Sequence, residues 1–169
     1  MKTLIVIDIQ NDFIDGALGT PEAQAIVPKV KKKIEEYRER GDKIVFTQDT
    51  HFEDYLDTLE GSKLPVPHCI KDTRGWQITD GLYNEGESVI EKYQFGYPAW
   101  DALLIWHDEM ELVGLCTDIC IISNALIMKA MTRIREITVD ASCCAGTTPE
   151  NHKAALQVMK CCQINVVGE

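Results

Sequence analysis

No stretch of this sequence reaches the roughly 18–20 consecutive apolar residues that a transmembrane helix needs. An excess of positive charge is also lacking, since 27 acidic residues outnumber 17 basic ones and the formal net charge is −10. So acidic a chain is a poor partner for nucleic acid or for an anionic membrane surface. The first apolar run, residues 4–7, meets Asp8 with no small-residue cleavage site after it, which predicts a strand and not a signal peptide.

A disulfide framework and a dinucleotide fingerprint are missing as well. The seven cysteines are odd in number, follow no regular spacing and include two adjacent pairs, which favours free thiols and a cytoplasmic location. Cys116 and Cys120 are four residues apart, but no second pair at matching spacing completes a zinc site. The turn after the first strand is rich in aspartate and lacks G-x-G-x-x-G, so a Rossmann cofactor is not expected.

Short apolar runs alternate with amphipathic helical patterns along most of the chain. This alternation predicts an α/β fold of Rossmann-like type, in which helices cover both faces of a parallel sheet. We expect one domain over residues 1–169, with a long excursion at residues 52–87. Strands are predicted at residues 4–7, 43–47, 88–91, 111–115, 136–139 and 164–167. Helices are predicted from Pro21 to Gly41, over 98–106, over 118–131 and from Pro149 onwards, and Pro28 should kink the first of them or delay its start.

The segment 113–125 reads as a strand, a sharp turn and a helix. Thr117 or Asp118 is the expected N-cap, which places Cys120 in the first helical turn. The free amides and positive dipole there favour a thiolate, so Cys120 is a candidate nucleophile and the turn amides are candidate oxyanion donors. The alternative is a buried structural cysteine.

Polar side chains follow four of the predicted strands. They are Asp8, Asp49 with His51, Lys92, and Cys120. The carboxyl ends of parallel strands share one edge of the sheet, where α/β proteins bind ligands. There Lys92 would pair with Asp8 and lower the pKa of Cys120. Asp8 would take the thiol proton and pass it to a leaving amine, and the Cys116 and Cys120 amides would hold the oxyanion.

Five spaced motifs resemble the signature of the isochorismatase-like cysteine hydrolases, in particular their nicotinamidase (pyrazinamidase) branch. They are residues 8–13 (Asp-Ile-Gln-Asn-Asp-Phe), 49–51 (Asp-Thr-His), 67–69 (Pro-His-Cys), Lys92, and 114–120 (Gly-Leu-Cys-Thr-Asp-Ile-Cys). The resemblance implies a six-stranded parallel sheet and a catalytic triad of Cys120, Asp8 and Lys92. It also implies a cis peptide at Leu115–Cys116 and, as activity, the hydrolysis of a small amide in NAD salvage.

A divalent metal beside the triad, zinc with iron or manganese as alternatives, is also implied by the resemblance. Its ligands would be Asp49, His51 and His68, with Glu60 as the fourth and Asp54 or Asp57 as alternatives. Carboxylate and imidazole donors suit these ions. The excursion at 52–87 would then act as a metal and substrate flap.

The substrate pocket departs from the usual pattern of this branch. The aromatic residue expected shortly before the histidine ligand is replaced by residues 64–66 (Leu-Pro-Val). Phe13, Phe95, Tyr97 and Leu115 are the predicted pocket residues, with Trp76 as a further candidate.

The resemblance therefore implies a nicotinamidase, which converts nicotinamide to nicotinate and ammonia through a thioester on Cys120. The alternatives are a relative acting on another small amide or carbamoyl group and a non-catalytic binding protein. The expected partners are a small-molecule amide and further copies of the chain in a homo-oligomer.

Overall fold

The computed structural model describes residues 2–104, 109–132 and 134–169. Its six strands form one parallel sheet in the order β3-β2-β1-β4-β5-β6. This is the six-stranded α/β sheet predicted from the sequence. The strands are β1 (Lys2–Ile7), β2 (Lys43–Asp49), β3 (Ser88–Lys92), β4 (Glu109–Leu115), β5 (Glu136–Ala145) and β6 (Asn165–Val167).

Helices connect the strands and cover both sheet faces. They are α1 (Asn11–Ile14), α2 (Pro21–Glu39), α3 (Leu59–Lys63), α4 (Asp101–Leu104), α5 (Ile122–Met131) and α6 (Pro149–Cys161), with a π-helical turn at Thr117–Ile121 and a 3₁₀ turn at Tyr55–Asp57. Part of the helix predicted at 98–106 lies outside the described residues. No helix in the described part of the chain is long and apolar enough to cross a membrane.

Two apolar cores lie on opposite sides of β1, because alternate residues of a strand point to opposite faces. Leu4 and Val6 pack in the core that includes α2, whereas Ile5 and Ile7 pack in the core that includes α5 and α6. The continuous apolar run at the start of the sequence is thus a central strand buried on both faces.

Capping residues define where α2 and α6 begin. The hydroxyl of Thr20 accepts a hydrogen bond from Ala23 N at 3.0 Å, and that of Thr148 accepts one from Asn151 N at 3.1 Å. A proline follows each cap, at the position where a missing N–H costs nothing. The expectation that Pro28 delays the start of α2 is wrong, since this helix begins at Pro21 and includes Pro28.

The elements around β4 and β5 differ from the sequence prediction. The predicted helix 118–131 is divided into the π-helical turn and α5, and β5 extends to Ala145 where 139 was expected. The pairing of β4 with β5 shifts register, because Leu112 pairs with Val139 but Gly114 pairs with Cys144. Strand β5 therefore continues past its predicted end at residue 139 after an irregular stretch.

Gly114 in β4 pairs with Ile7 of β1 at a place with no room for a side chain. Its φ is +123°, and a Cβ built there would lie 2.0 Å from the carbonyl oxygen of Ile7.

We expect Gly114→Ala to lower the free energy of unfolding by more than about 3 kcal/mol, because both the strained φ and the clash with backbone oppose it. Gly41→Ala is the matched control: its φ is +70°, but no atom lies within 4 Å of the added Cβ. It should cost only about 1 kcal/mol in urea denaturation. Equal losses in the two variants would contradict this account of the β1–β4 contact.

Candidate active site

The polar residues predicted to meet at one edge of the sheet do meet there. Asp8 follows β1, Asp49 ends β2, Lys92 ends β3 and Cys120 lies in the π-helical turn after β4. Strands β1 and β4 are neighbours although they are far apart in sequence, so this edge is the switch point of the sheet, where α/β folds bind ligands.

Lys92 is the centre of this group of side chains. Its Nζ lies 2.7 Å from Asp8 Oδ2, 2.9 Å from Asp49 Oδ1 and 3.5 Å from Cys120 Sγ. It also donates a hydrogen bond to the Gln94 carbonyl oxygen at 3.2 Å. Lys92 is 1% exposed and Asp8 is fully buried. A lysine this buried stays charged only with such carboxylate partners.

Burial and charge shift the pKa values of the triad in opposite directions. Burial raises the pKa of Asp8, and the Lys92 ammonium offsets this only in part. Burial alone would lower the pKa of Lys92, but Asp8, with Cys120 and Asp49, raises it well above its ordinary value. The arrangement therefore favours a permanent ammonium beside an unusually basic carboxylate.

The Cys120 thiol does not have the low pKa expected from its helix position. Burial raises its pKa well above the ordinary value, and Lys92 lowers it less than burial raises it. Cys120 is only 5% exposed. The resting side chain is therefore a thiol, and a nearby base must remove its proton before it can act as a nucleophile.

The N-cap prediction for Thr117 or Asp118 is wrong, because Cys116 takes that position. Thr117 instead contacts α6, and Asp118 contacts the segment that leads into it. The Thr117 hydroxyl lies 2.7 Å from His152 Nδ1, and Asp118 accepts a hydrogen bond from Thr147 N at 2.8 Å. The cysteine-bearing turn is thus fixed by tertiary contacts and not by a local cap. The Leu115–Cys116 peptide is cis, as the resemblance implied.

Thr47 orients the Asp8 carboxylate, a role that the sequence analysis missed. Its hydroxyl donates to Asp8 Oδ1 at 2.6 Å and accepts from Asp8 N at 3.2 Å. Thr47 lies in β2, the neighbour of β1, and is 1% exposed. A buried threonine in a strand is too common for its role to be read from the sequence.

We expect Thr47→Val to weaken catalysis by about tenfold in kcat/KM while keeping the shape of the side chain. The Thr47 hydrogen bond lowers the pKa of Asp8, so its loss raises that pKa further. Asp8, the predicted base, is then ionised only at higher pH, and the acid limb of the kcat/KM profile should move to higher pH. A pH–rate profile measures the shift, and Thr138→Val, a change of the same kind on β5, is the control. An unmoved acid limb in Thr47→Val would contradict the role of Asp8 as the base.

Four side chains form a cluster suited to a metal ion beside the triad. One donor atom from each of Asp49, His51, Glu60 and His68 lies within 4.8 Å of the others. His51 Nε2 is 3.1 Å from Asp49 Oδ2 and 3.6 Å from Glu60 Oε1, and His68 Nε2 is 3.8 and 3.7 Å from the same two atoms. Of the three acidic candidates for the fourth position, Glu60 is the one in the cluster, at the start of α3.

The four donor atoms lie close enough together to bind one divalent ion. Zinc–nitrogen and zinc–oxygen bonds of about 2.0–2.2 Å place neighbouring donors roughly 3.4 Å apart, close to the separations found here. The ring Nδ1 of His68 lies 2.8 Å from the Val66 carbonyl oxygen, so Nδ1 carries the proton and Nε2 keeps a free lone pair toward the cluster. Two imidazoles and two carboxylates suit zinc, iron or manganese.

Gln10 and Asp12, in the polar turn after β1, hold the backbone of two of the candidate metal-binding segments in place. The side chain of Gln10 accepts from Asp49 N at 2.7 Å and donates to the Asp49 carbonyl oxygen at 2.9 Å. Asp12 Oδ2 accepts from Cys69 N at 2.7 Å, next to His68. The polar turn predicted at residues 8–13 is thus a structural anchor for the 52–87 excursion as well as the source of Asp8.

The cysteine and the metal cluster open into a single cavity of about 840 Å³. Of the predicted pocket residues, Phe13, Phe95 and Leu115 line it. Tyr97 and Trp76 are not among its lining residues: Tyr97 packs edge-on against Trp100 at 5.2 Å, and the Trp76 indole donates to Thr50 Oγ1 at 2.9 Å. Each ring is held by a neighbour away from the cavity. Leu59, Leu64, Tyr93 and Ile119 give much of the remaining lining an apolar character, and Lys63 and Thr147 add polar groups to it.

Comparisons with known proteins agree with this geometry. The Isochorismatase domain matches residues 2–168. The chain is 26% identical over 186 residues to the nicotinamidase/pyrazinamidase of Mycobacterium tuberculosis, with 99% of this chain and 98% of the relative covered. It superposes on the pyrazinamidase of Pyrococcus horikoshii in complex with zinc with a TM-score of 0.86, 27% identity and 99% coverage of both chains. The N-carbamoylsarcosine amidase of Thermoplasma acidophilum gives a TM-score of 0.81 and 26% identity, with 98% of this chain and 94% of that one covered.

Proposed function

This chain belongs to the isochorismatase family, and from that premise we propose that it is a cysteine amidohydrolase that converts nicotinamide to nicotinate and ammonia. The observation that carries the proposal is the contact of one buried ammonium, Lys92, with both the Asp8 carboxylate and the Cys120 thiol. The metal cluster in the same cavity supports a pyridine carboxamide in particular. The reaction would be a step of NAD salvage.

The first half of the reaction begins with the Asp8 carboxylate, which accepts the proton of the Cys120 thiol. The thiolate then attacks the carboxamide carbon, and the backbone amides of Cys116 and Cys120 stabilise the resulting oxyanion. Asp8 returns its proton to the leaving nitrogen, and ammonia departs from a thioester on Cys120. Lys92 keeps its charge throughout and compensates the negative charge that moves between sulfur and carboxylate.

The second half of the reaction uses the same residues in the opposite sense. Asp8, again ionised, removes a proton from a water molecule that attacks the thioester carbon. The Cys116 and Cys120 amides stabilise the oxyanion again, the C–S bond breaks, and Asp8 gives its proton to the Cys120 sulfur. The product leaves as nicotinic acid, which loses its proton to solvent and becomes nicotinate. A base with a raised pKa suits both proton transfers, because it accepts a proton more readily than an ordinary carboxylate and can still release it.

Asp49, His51, Glu60 and His68 would hold a divalent ion. When bound, that ion would supply a coordination position beyond the four protein donors, which could hold the pyridine nitrogen and orient the carboxamide toward Cys120. Phe13 lies beside the metal ligands, with its ring 5.5 Å from that of His68. Phe13, Phe95 and Leu115 are proposed to contact the substrate ring. Residues 1–169 would act as one hydrolase domain, with 52–87 as the metal and substrate flap.

The test is release of ammonia from nicotinamide by the purified protein, with zinc, iron or manganese added in turn. Turnover that a metal stimulates supports the proposal. Turnover of other small carboxamides or carbamoyl compounds, without nicotinamide hydrolysis, would favour the second candidate function, an amidase with a different acyl group. The residues at 64–66, which lack an aromatic side chain, and the apolar wall of the cavity favour that alternative. No turnover of any amide by the folded, metal-loaded protein would leave the binding-protein hypothesis.

A further inference from the structure

Lys92 and Cys120 come from strands that are not neighbours. Between β3, which ends at Lys92, and β4, which precedes Cys120, lie β2 and β1. Three strand spacings of about 4.8 Å separate β3 from β4 by about 14 Å. The sheet alone therefore does not determine the 3.5 Å contact between Lys92 Nζ and Cys120 Sγ, and a second connection above the edge of the sheet is required.

Asn124 supplies that connection with all the hydrogen bonds its side chain can make. Its Oδ1 accepts from Tyr97 N and from the Trp100 indole N–H, both at 2.8 Å. Its Nδ2 donates to the carbonyl oxygen of Phe95 at 3.0 Å and to that of Cys120 at 2.8 Å. Three of these partners belong to the segment that follows Lys92, and the fourth is the proposed nucleophile itself.

The burial of Asn124 makes these hydrogen bonds costly to lose. The side chain is fully buried, as is Trp100, and a buried amide or indole N–H left without a partner is costly. The Phe95 side chain lines the cavity, and the Gln94 carbonyl oxygen accepts a bond from Lys92 Nζ. One side chain thus fixes the pocket wall and the lysine loop relative to the cysteine turn.

We propose that Asn124 is a positioning residue that sets the register between the Lys92 loop and the Cys120 turn. It does not line the cavity, so it acts through Cys120, Lys92 and Phe95 and not on the substrate. A misplacement of about 1 Å between reacting groups can cost a factor of 100 in rate. Loss of Asn124 should therefore lower kcat strongly and change KM only slightly, through the contact of Asn124 with Phe95.

The experiment compares Asn124→Ala with the parent protein in two measurements. Thermal unfolding first establishes what fraction of each protein is folded, and both measurements are normalised to that fraction. The first is the kcat and KM for nicotinamide, and it rests on the proposed amidase function. We expect kcat to fall by about 10- to 100-fold with KM within about threefold. Asn165→Ala is the control: its side chain contacts Thr138 at the far end of the sheet, and the variant should keep the parental kcat.

The second measurement is the rate at which iodoacetamide alkylates Cys120, followed by mass spectrometry of the Cys120 peptide. It needs no substrate, so it remains decisive if the protein is not a nicotinamidase. Because Lys92 favours the thiolate only when it is close to sulfur, Asn124→Ala should slow the alkylation about tenfold. A rate equal to or above that of the parent would overturn the proposal, whatever the kinetics with nicotinamide show.

If Asn124→Ala does not fold, the Trp100→Phe variant tests the proposal in its place. This change removes one of the four hydrogen bonds to Asn124 and keeps an aromatic ring in the core. It should lower kcat and the alkylation rate by about two- to fivefold. Parental values for both in folded Trp100→Phe would then overturn the proposal.

Discussion

Cys120→Ala is expected to reduce the release of ammonia from nicotinamide by about 10⁴-fold or more, because the sulfur that would carry the thioester is lost. Cys120→Ser should be nearly as inactive, since a hydroxyl is far less acidic than a thiol and Asp8 would have to ionise it. A discontinuous ammonia assay over hours measures the residual rate. Thermal unfolding should show both variants folded, because the cysteine is small and its replacement creates little empty space.

The control for Cys120 is Cys161→Ala, an exposed cysteine at the end of α6, which should keep the parental rate. All seven cysteines lie within the described residues and are free, so no disulfide is lost in any of these variants. If Cys120→Ala retained more than about 1% of the parental activity, the thioester mechanism would be wrong. The geometry would then be better explained by a binding protein or by direct attack of water.

His68→Ala is expected to lower the affinity for a divalent metal by more than about 100-fold and to reduce activity in parallel. The parent should bind one equivalent of metal per chain. The Nε2 atom of His68 faces both carboxylates of the cluster, and among the described residues no other donor could replace it there. Metal analysis after dialysis measures the stoichiometry. Competition with a chelator of known affinity measures the binding constant.

His152→Ala is the matched control for the metal experiment, since this half-buried histidine contacts Thr117 and lies outside the cluster. It should keep the parental metal content. Equal metal loss in the two histidine variants would mean that the ion binds elsewhere or that the loss reflects general destabilisation. Full activity of metal-free parent protein would remove the role proposed for the ion.

The sequence predicted the positions of Asp8, Asp49, Lys92 and Cys120 because strand ends are marked by a change from apolar to polar residues. A parallel sheet brings its carboxyl ends to one edge, so four residues far apart in sequence could be placed together from their positions at strand ends alone. The metal residues were found through the resemblance, and the choice of Glu60 over Asp54 and Asp57 needed the structure. Those three carboxylates are close in sequence, and α3 directs Glu60 into the cluster.

Residues whose role depends on tertiary contacts were missed or misplaced. Thr47 and Asn124 look like ordinary buried strand and helix residues, and only their partners reveal what they orient. Tyr97 was expected in the pocket, yet its ring turns toward Trp100. The low pKa expected for Cys120 followed from its place near a helix start. Burial outweighs that local effect, and burial cannot be read from a helix position.

The order of the strands divides the chemistry between two halves of the chain. Residues 2–92, which include β1 to β3 and the excursion at 52–87, carry all four proposed metal ligands together with Asp8 and Lys92, whereas the proposed nucleophile follows β4. An N-terminal half that folded first would bind its ion before the Cys120 thiol stands beside it. Metal binding and catalytic competence should therefore be separable in time, and the ion would act first as an assembly aid for the flap.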